Sequence, residues 1–393
     1  GETVKEVTMT IKLPLFEPTK LKQEIYQTMR NEFSRLLNRA LDIKRTNPKI
    51  AVTDIDKLLK QDSILPTTTQ QEARKLALSR YDDWKKNQKT KSFPRFKEKQ
   101  TILFNNQNWH FRYDNGYLKL GIPTIEGRLT LEKYVPVRTN EYTSFWVHFL
   151  LNGEMDKTNK YYDSSFEQII GIKKGNGQLY EKKKRWYFAF SITLTVKEKE
   201  NTDETEKSVG VDRGLRMIAV AGCGQTGEYK IFNGRYLGHI RRKYHRLRKQ
   251  LQKAKNMKAL KRLENKEQRI IDYWNHVISK KIIRFAEQIG AKTIKLEDLS
   301  GIRKMKKHWK QSNRNIHSWA FYDLEIKIQY KAKLKGLKVE YVDPYKTSQE
   351  CFQCGKVKKT NRRGPLYTCS CGYKKQADVN ASFVISTRPS IAG

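Results

Sequence analysis

The chain has 393 residues, with 80 Lys and Arg against 41 Asp and Glu and a formal net charge of +39. Hydrophobic residues make up 37% and aromatic residues 11%, enough apolar surface to bury real cores, so a disordered polycation is excluded. A positive excess of this size repels itself in a compact fold; the natural relief is a polyanion, and nucleic acid suits it better than a small acidic ligand.

Residues 4–16 alternate well enough to form a strand. Leu21, Ile25, Met29, Phe33, Leu36, Leu37 and Leu41 then recur at spacings of three and four, the period of a helix. Ala73, Leu76, Ala77 and Tyr81 mark a second helix over residues 69–84, and a short apolar piece at 55–59 predicts a third between them. Residues 20–92 therefore read as a helical domain. The stretch 93–200 is rich in Phe, Tyr and Trp, with HFRYDNGYLKL a hairpin that turns at Asn115 and Gly116. Along 186–196, Trp186, Phe188, Phe190, Ile192, Leu194 and Val196 share one face of a strand. An antiparallel barrel or sandwich is expected from residues 1–19 and 93–200, with the helical domain inserted into it.

Residues 197–207 are polar and read as a linker. After it the pattern becomes mixed α/β, a multidomain α/β chain overall. Short strands are predicted at 208–212, 216–221 and 229–232, and long helices over 236–288. A strand at 292–297, a helix at 315–335, a strand at 338–342 and a last helix at 378–386 follow. Asp212 closes the first of these strands, Glu297 closes the fourth, and Asp378 stands in the first turn of the last helix. That order, with carboxylates at those three places, is the plan of an RNase H-like nuclease domain, here spanning 201–345 and 375–393. Three converging carboxylates repel one another and need cations between them; two Mg²⁺ ions about 3.5–4 Å apart would activate water and stabilise the leaving oxygen of a phosphodiester. Singly, each acid has an ordinary alternative: a turn-initiating Asp212, a helix-capping Asp378, a solvated Glu297 with Asp298 as the ligand in its place.

Four of the five cysteines cluster. Cys351 and Cys354, then Cys369 and Cys371, form two close pairs, each followed by Gly. This pattern predicts a structural Zn²⁺ held by four thiolates in a ribbon over residues 346–374. Cys223 stands alone and reads as a free thiol. Residues 239–269 hold 13 Lys or Arg against two Glu. Arg241, Arg242, Lys243, Arg246, Arg248 and Lys249 in this stretch are candidate phosphate contacts. Two basic-aromatic segments, 84–99 and 303–310, suit either base stacking or core anchoring by residues such as Phe96 and Trp309. No phosphate-binding glycine loop and no acyl-transfer triad is present. No run reaches the length of a membrane span and no signal-peptide core opens the chain.

The pieces GVDRG, KLEDLSG, KTSQECFQCG, YTCSCGY and ADVNAS, in this order, resemble the transposon-encoded TnpB proteins and their relatives, the type V CRISPR effectors. The resemblance runs from about residue 208 to 386, and the N-terminal half matches in layout only. It implies a wedge domain in the barrel-like part, a RuvC nuclease domain, and a zinc insertion that contacts the target. The implied activity is guide-RNA-directed cleavage of double-stranded DNA beside a short flanking motif, with Asp212, Glu297 and Asp378 holding Mg²⁺. Arg363 is expected to approach the scissile phosphate; Thr347, Ser348 and Gln349 match a motif beside the site without an assigned role. The implied setting is a prokaryotic cytoplasm, associated with the nucleoid, and a monomer is favoured. The rivals are a guided binder that does not cut and an RNA-independent transposase or resolvase.

Overall fold

The computed structural model describes residues 3–199, 206–214, 219–233, 235–299 and 314–391. They fall into two compact units: one of residues 8–164 and 170–195, the other of residues 1–7, 165–169 and 196–393.

In the first unit, alternation makes β1 (Val4–Pro14), with Met9, Ile11 and Leu13 inward. Three helices follow: α1 (Lys20–Thr46), α2 (Val52–Gln61) and α3 (Thr67–Lys86). Thr19 caps α1 by accepting from the Lys22 amide, and Met29, Phe33, Leu36, Leu37 and Leu41 form its buried stripe. Next come β2 (Ile102–Phe104), the hairpin β3 (His110–Asp114) and β4 (Tyr117–Gly121), and β5 (Val135–Pro136). The hairpin turns as expected, with Asn115 at φ 49° and Gly116 at φ 79°. The sequence missed α4 (Glu141–Asn152), which interrupts the β-rich stretch. Its ends are explicit: the Asn140 side chain accepts from the Thr143 amide, Thr143 Oγ1 accepts from the Asn140 amide, and Gly153 closes it at φ 73°. Local capping here outweighs the β preference of an aromatic-rich run.

The unit closes with β6 (Ile169–Lys182) and β7 (Arg185–Lys197). Its strands form two antiparallel sheets, in the orders β1-β7-β6-β2 and β3-β4-β5. Backbone bonds from Arg138 to Pro14 and from Phe16 to Pro136, each 2.8 Å, join the edge of β1 to β5. The predicted apolar face of β7 is buried throughout, with Trp109 packed against Phe188 and Phe190. In the segment 84–99 the aromatic rings are used internally: Trp84 meets Phe93 edge-on at 5.0 Å, and Arg45 lies 4.3 Å over the Phe93 ring. Anchoring, rather than free stacking surface, is what these rings provide. The parallel segment 303–310, with Trp309, lies outside the described residues, as do 200–205 of the polar linker.

The second unit is built on a five-stranded sheet: β8 (Ser208–Asp212), β9 (Ala219–Cys223), β10 (Glu228–Phe232), β11 (Thr293–Glu297) and β12 (Lys338–Val342). The order is β10-β9-β8-β11-β12; the first three are antiparallel, and β8, β11 and β12 are parallel. Helices α5 (Arg235–Lys253) and α6 (Met257–Gln288) break at Lys255, which has φ 55°, and Asn256 caps α6. Helix α7 (Arg314–Leu334) precedes β12. Ile278 and Ile282 of α6 and Leu324 and Ile328 of α7 pack with Val209 and Val211 on one side of the sheet. The last helix, α8 (Ala377–Thr387), covers the other. Gly210 makes that approach possible: a Cβ there would run into the Ser382 carbonyl oxygen and the Ser386 amide. Between β12 and α8 lie the short strands β13 (Arg362–Arg363), β14 (Leu366–Thr368) and β15 (Lys374–Gln376) of a third sheet. Among the described residues no helix is long and apolar enough to cross a membrane.

Candidate active site

Sheet register brings the three acids together. β11 runs parallel to β8 with Leu296 opposite Val211, so Glu297 stands beside Asp212 where both strands end. Gly210 and Asp212 share a face by alternation, and that face carries α8. Asp378, the second residue of α8, shares a side-chain hydrogen bond with Asp212. Glu297 joins them through its charge.

Burial, then the charges of Glu297 and Asp378, push the Asp212 carboxyl well above the usual range. Burial also raises Glu297, opposed by a hydrogen bond from Thr347 and by the positive charges of Arg213 and Arg388. Two of the acids are held by named partners. Thr347 Oγ1 donates to Glu297 Oε2 at 3.1 Å; Arg362 Nη2 donates to Asp378 Oδ1 at 3.0 Å, and Gln376 Nε2 to Asp378 Oδ2 at 3.2 Å. The three carboxylates supply the hard oxygen donors that a divalent cation takes, with Arg362 offsetting part of their charge; among the described residues it is the four cysteines whose ligand atoms already lie close enough to share one ion.

Two of these holders have no role in the sequence reading, and the expected approach of Arg363 to a phosphate is a separate matter. Arg362, not Arg363, reaches Asp378: β13 pairs Arg362 with buried Tyr367 and Arg363 with exposed Leu366, so alternation turns Arg363 to solvent. Thr347 has a position, as the donor to Glu297; its place in the KTSQ run was the available signal.

The four thiols also meet. Their sulfurs lie within 4.8 Å of one another, with Cys351 and Cys371 3.8 Å apart and Cys354 and Cys369 3.6 Å apart. These separations are far beyond a disulfide and match the edge, about 3.8 Å, of a tetrahedron with Zn–S bonds of about 2.3 Å. Each pair sits on a tight turn: the Gly355 amide donates to the Cys351 carbonyl and the Gly372 amide to the Cys369 carbonyl, at 2.8 and 3.0 Å. The C-x-C spacing of the second pair thus leaves the cluster intact. Burial pushes the Cys351 thiol up to about 12, whereas a hydrogen bond from the Cys371 backbone brings Cys369 down to about 6. Asn380 of α8 clamps the first turn, donating to the Glu350 carbonyl at 2.7 Å and accepting from the Phe352 amide at 3.1 Å. The cysteine cluster and Asp378 are therefore carried on one rigid assembly. Cys223 is buried and is not part of the four-thiol group.

The basic helix divides. Ile240, Tyr244 and Arg248, spaced by four, face inward on α5, and Arg248 Nη2 donates to Glu267 of α6 at 2.7 Å with both side chains buried. Arg241 is partly buried beside Glu267 as well. These two are corrected to structural roles. Arg242, Lys243, Arg246 and Lys249 are exposed, and Lys253 continues their stripe.

Known proteins share this layout. A family model described as "Probable transposase" (OrfB_IS605) matches residues 191–303, across Asp212 and Glu297. A second, "Cas12f1-like, TNB domain", matches residues 321–385, across the four cysteines and Asp378. These two matches, to a transposase family and to a Cas12f1-like domain, lie almost wholly in the second unit and together take in the three acids and the four cysteines. The chain is 34% identical over 154 residues to a TnpB-like protein of Methanocaldococcus jannaschii, covering 37% of this chain and 55% of that one. It is 30% identical over 218 residues to the CRISPR-associated endodeoxyribonuclease Cas12f1 of Sulfoacidibacillus thermotolerans, covering 51% of this chain and 50% of that one. The chain thus spans about half the length of the curated relatives it matches. In fold, it resembles the protein of a Cas12f1–sgRNA–target DNA complex, with a TM-score of 0.65 at 15% identity over 94% of this chain and 83% of that one.

Proposed function

We propose that this chain is a TnpB-like RNA-guided DNA endonuclease whose single RuvC-like site hydrolyses both strands of a target in turn. The observation that carries the reading is the convergence of Asp212, Glu297 and Asp378 at one sheet edge, with a four-thiol ribbon inserted between the second acid and the third. The sheet order β10-β9-β8-β11-β12 supports an RNase H-like domain, and the joined antiparallel sheets of the first unit support the barrel-like wedge with a helical insertion.

Asp212, Glu297 and Asp378 would hold two Mg²⁺ ions, which when bound supply an activated water and stabilise the leaving oxygen. Thr347 orients the Glu297 carboxylate, and Gln376 and Arg362 orient that of Asp378. A phosphate bound beside Asp378 would share the Arg362 guanidinium with that carboxylate. Cys351, Cys354, Cys369 and Cys371 would hold one Zn²⁺, whose role is to keep the ribbon folded. Arg242, Lys243, Arg246 and Lys249 are the exposed cations placed to track a phosphate backbone. Base pairing with a guide would supply specificity, while the protein reads helix shape and a flanking motif.

The test is to express the protein with its native flanking DNA and sequence the RNA that co-purifies. A discrete structured RNA with a variable end, followed by Mg²⁺-dependent cleavage of the matching DNA, upholds the reading. Random RNA, or none, moves RNA-independent transposition ahead, the reading that the description of the 191–303 match favours.

A further inference from the structure

Arg213, one residue beyond Asp212, is almost fully buried. Its side chain lies on the opposite side of the sheet from Asp212, in the row of Val209 and Val211 that faces α6 and α7. Glu297, Phe321 and Glu325 meet it there. Nη2 donates to the main-chain oxygen of Glu297 at 3.2 Å, Nη1 donates to the main-chain oxygen of Phe321 in α7 at 3.3 Å, and Nη1 lies 3.6 Å from Glu325 Oε1. Both charged side chains are 4% exposed.

Burying a guanidinium and a carboxylate costs more than an apolar pair of the same volume, so the pair is a poor device for stability alone. What it supplies is geometry. A planar fork with fixed donor directions ties three separate segments together: the end of β8, the end of β11 and the middle of α7. Two of those ends carry the acids. The site needs its carboxylates placed to within about half an ångström, yet β8 and β11 have no ladder bond beyond Val211 and Leu296. The Arg213 bond to the Glu297 carbonyl continues the lock past the last rung.

We propose that Arg213 is a positioning residue for the metal-binding edge: it holds the main chain of Glu297 in register with Asp212 and locks both to α7, without touching substrate or metal. The proposal rests on the nuclease reading above and deepens it.

The test uses the full chain with its guide RNA. Arg213→Met keeps the volume and removes the fork; Arg213→Lys keeps the charge and loses the paired donors; Glu325→Gln keeps the fork and removes the ion pair. Two quantities are read: the Mg²⁺ concentration for half-maximal cleavage, and hydrogen exchange of the amides in 293–299 and 320–334. Arg213→Met is expected to raise the half-saturating Mg²⁺ at least fivefold and to speed exchange at the end of β11, with guide affinity within twofold. Arg213→Lys should recover only part of the loss, and Glu325→Gln should shift it by no more than about threefold. Should Arg213→Met fail to fold, the other two variants read the same quantities. Unchanged Mg²⁺ dependence together with unchanged exchange at 293–299 overturns the proposal. If Asp212→Ala still cleaves, the nuclease reading has failed instead; the exchange measurement on the protein alone then decides whether Arg213 fixes this edge.

Discussion

The four thiols and the three carboxylates of the second unit are assembled in opposite ways. The thiols come from two tight turns within 21 residues, their sulfurs already lie at tetrahedral separations, and a single ion would close the cluster. The acids come from three elements spread over 167 residues. Glu297 and Asp378 are held by neighbouring side chains, and Asp212 by its hydrogen bond to Asp378. A closed, local site is written into a spacing. A dispersed one depends on sheet register, on Gly210 admitting α8, and on holders such as Thr347, Arg362 and Arg213. The two sites are joined through Asn380, so damage to the closed site is expected to reach the dispersed one.

The sharpest break of that contrast is chemical. Asp212→Ala should lower guided DNA cleavage at least about a thousandfold and leave guide-RNA affinity within twofold, because it removes a ligand that no neighbour replaces; normal-rate cleavage would refute the acidic site. Cys354→Ser, or a chelator, should melt 346–374 in hydrogen exchange and slow cleavage by about 10–100-fold through Asp378. Intact protection with slowed cleavage would put the thiols in the chemistry rather than in the scaffold. Arg362→Ala should cost about tenfold in cleavage and Arg363→Ala less than twofold; the reverse ranking would mean that the strand phase of β13 does not govern the site. Arg248→Ala strands Glu267 and should destabilise the α5–α6 pair by about 3–5 kcal/mol, measured by chemical denaturation. Neutralising Arg242, Arg246, Lys249 and Lys253 should instead leave stability alone and flatten the salt dependence of RNA binding by roughly 0.7–0.9 log units per lost contact.

The smallest effect carries the sign of the electrostatics. The Asp212 carboxyl is raised in the folded protein, so its contribution is present in acid and lost as pH rises through that raised value. Asp212→Asn should therefore raise Tm by about 2–4 °C at neutral pH without Mg²⁺. The gain should vanish on adding Mg²⁺ and also below the usual carboxylate range. A loss of Tm at neutral pH would mean that the cluster is not strained.

Legibility followed locality. Helices α1 and α3, the hairpin at Asn115–Gly116, the buried face of β7, the four cysteines and the acids at the ends of β8, β11 and α8 were all readable, because periodicity and ligand spacing act over a few residues. Helix α4 was not legible although Asn140 and Gly153 mark both its ends, because its aromatic composition suits a strand as well. Arg248 and Arg241 read as phosphate contacts in the sequence because a run of like charges hides which positions share a face with Ile240 and Tyr244.

Sequence alone determined the inventory: the charge that asks for a polyanion, the thiols, and three acids at the ends of predicted elements. Only the tertiary structure decided which groups touch. It chose Arg362 over Arg363 through the pleat of a two-residue strand, turned Arg248 inward to Glu267, and set Thr347 and Arg213 against Glu297. A side chain's partner depends on strand phase and on packing between distant segments, and neither is encoded in the residue or its immediate neighbours.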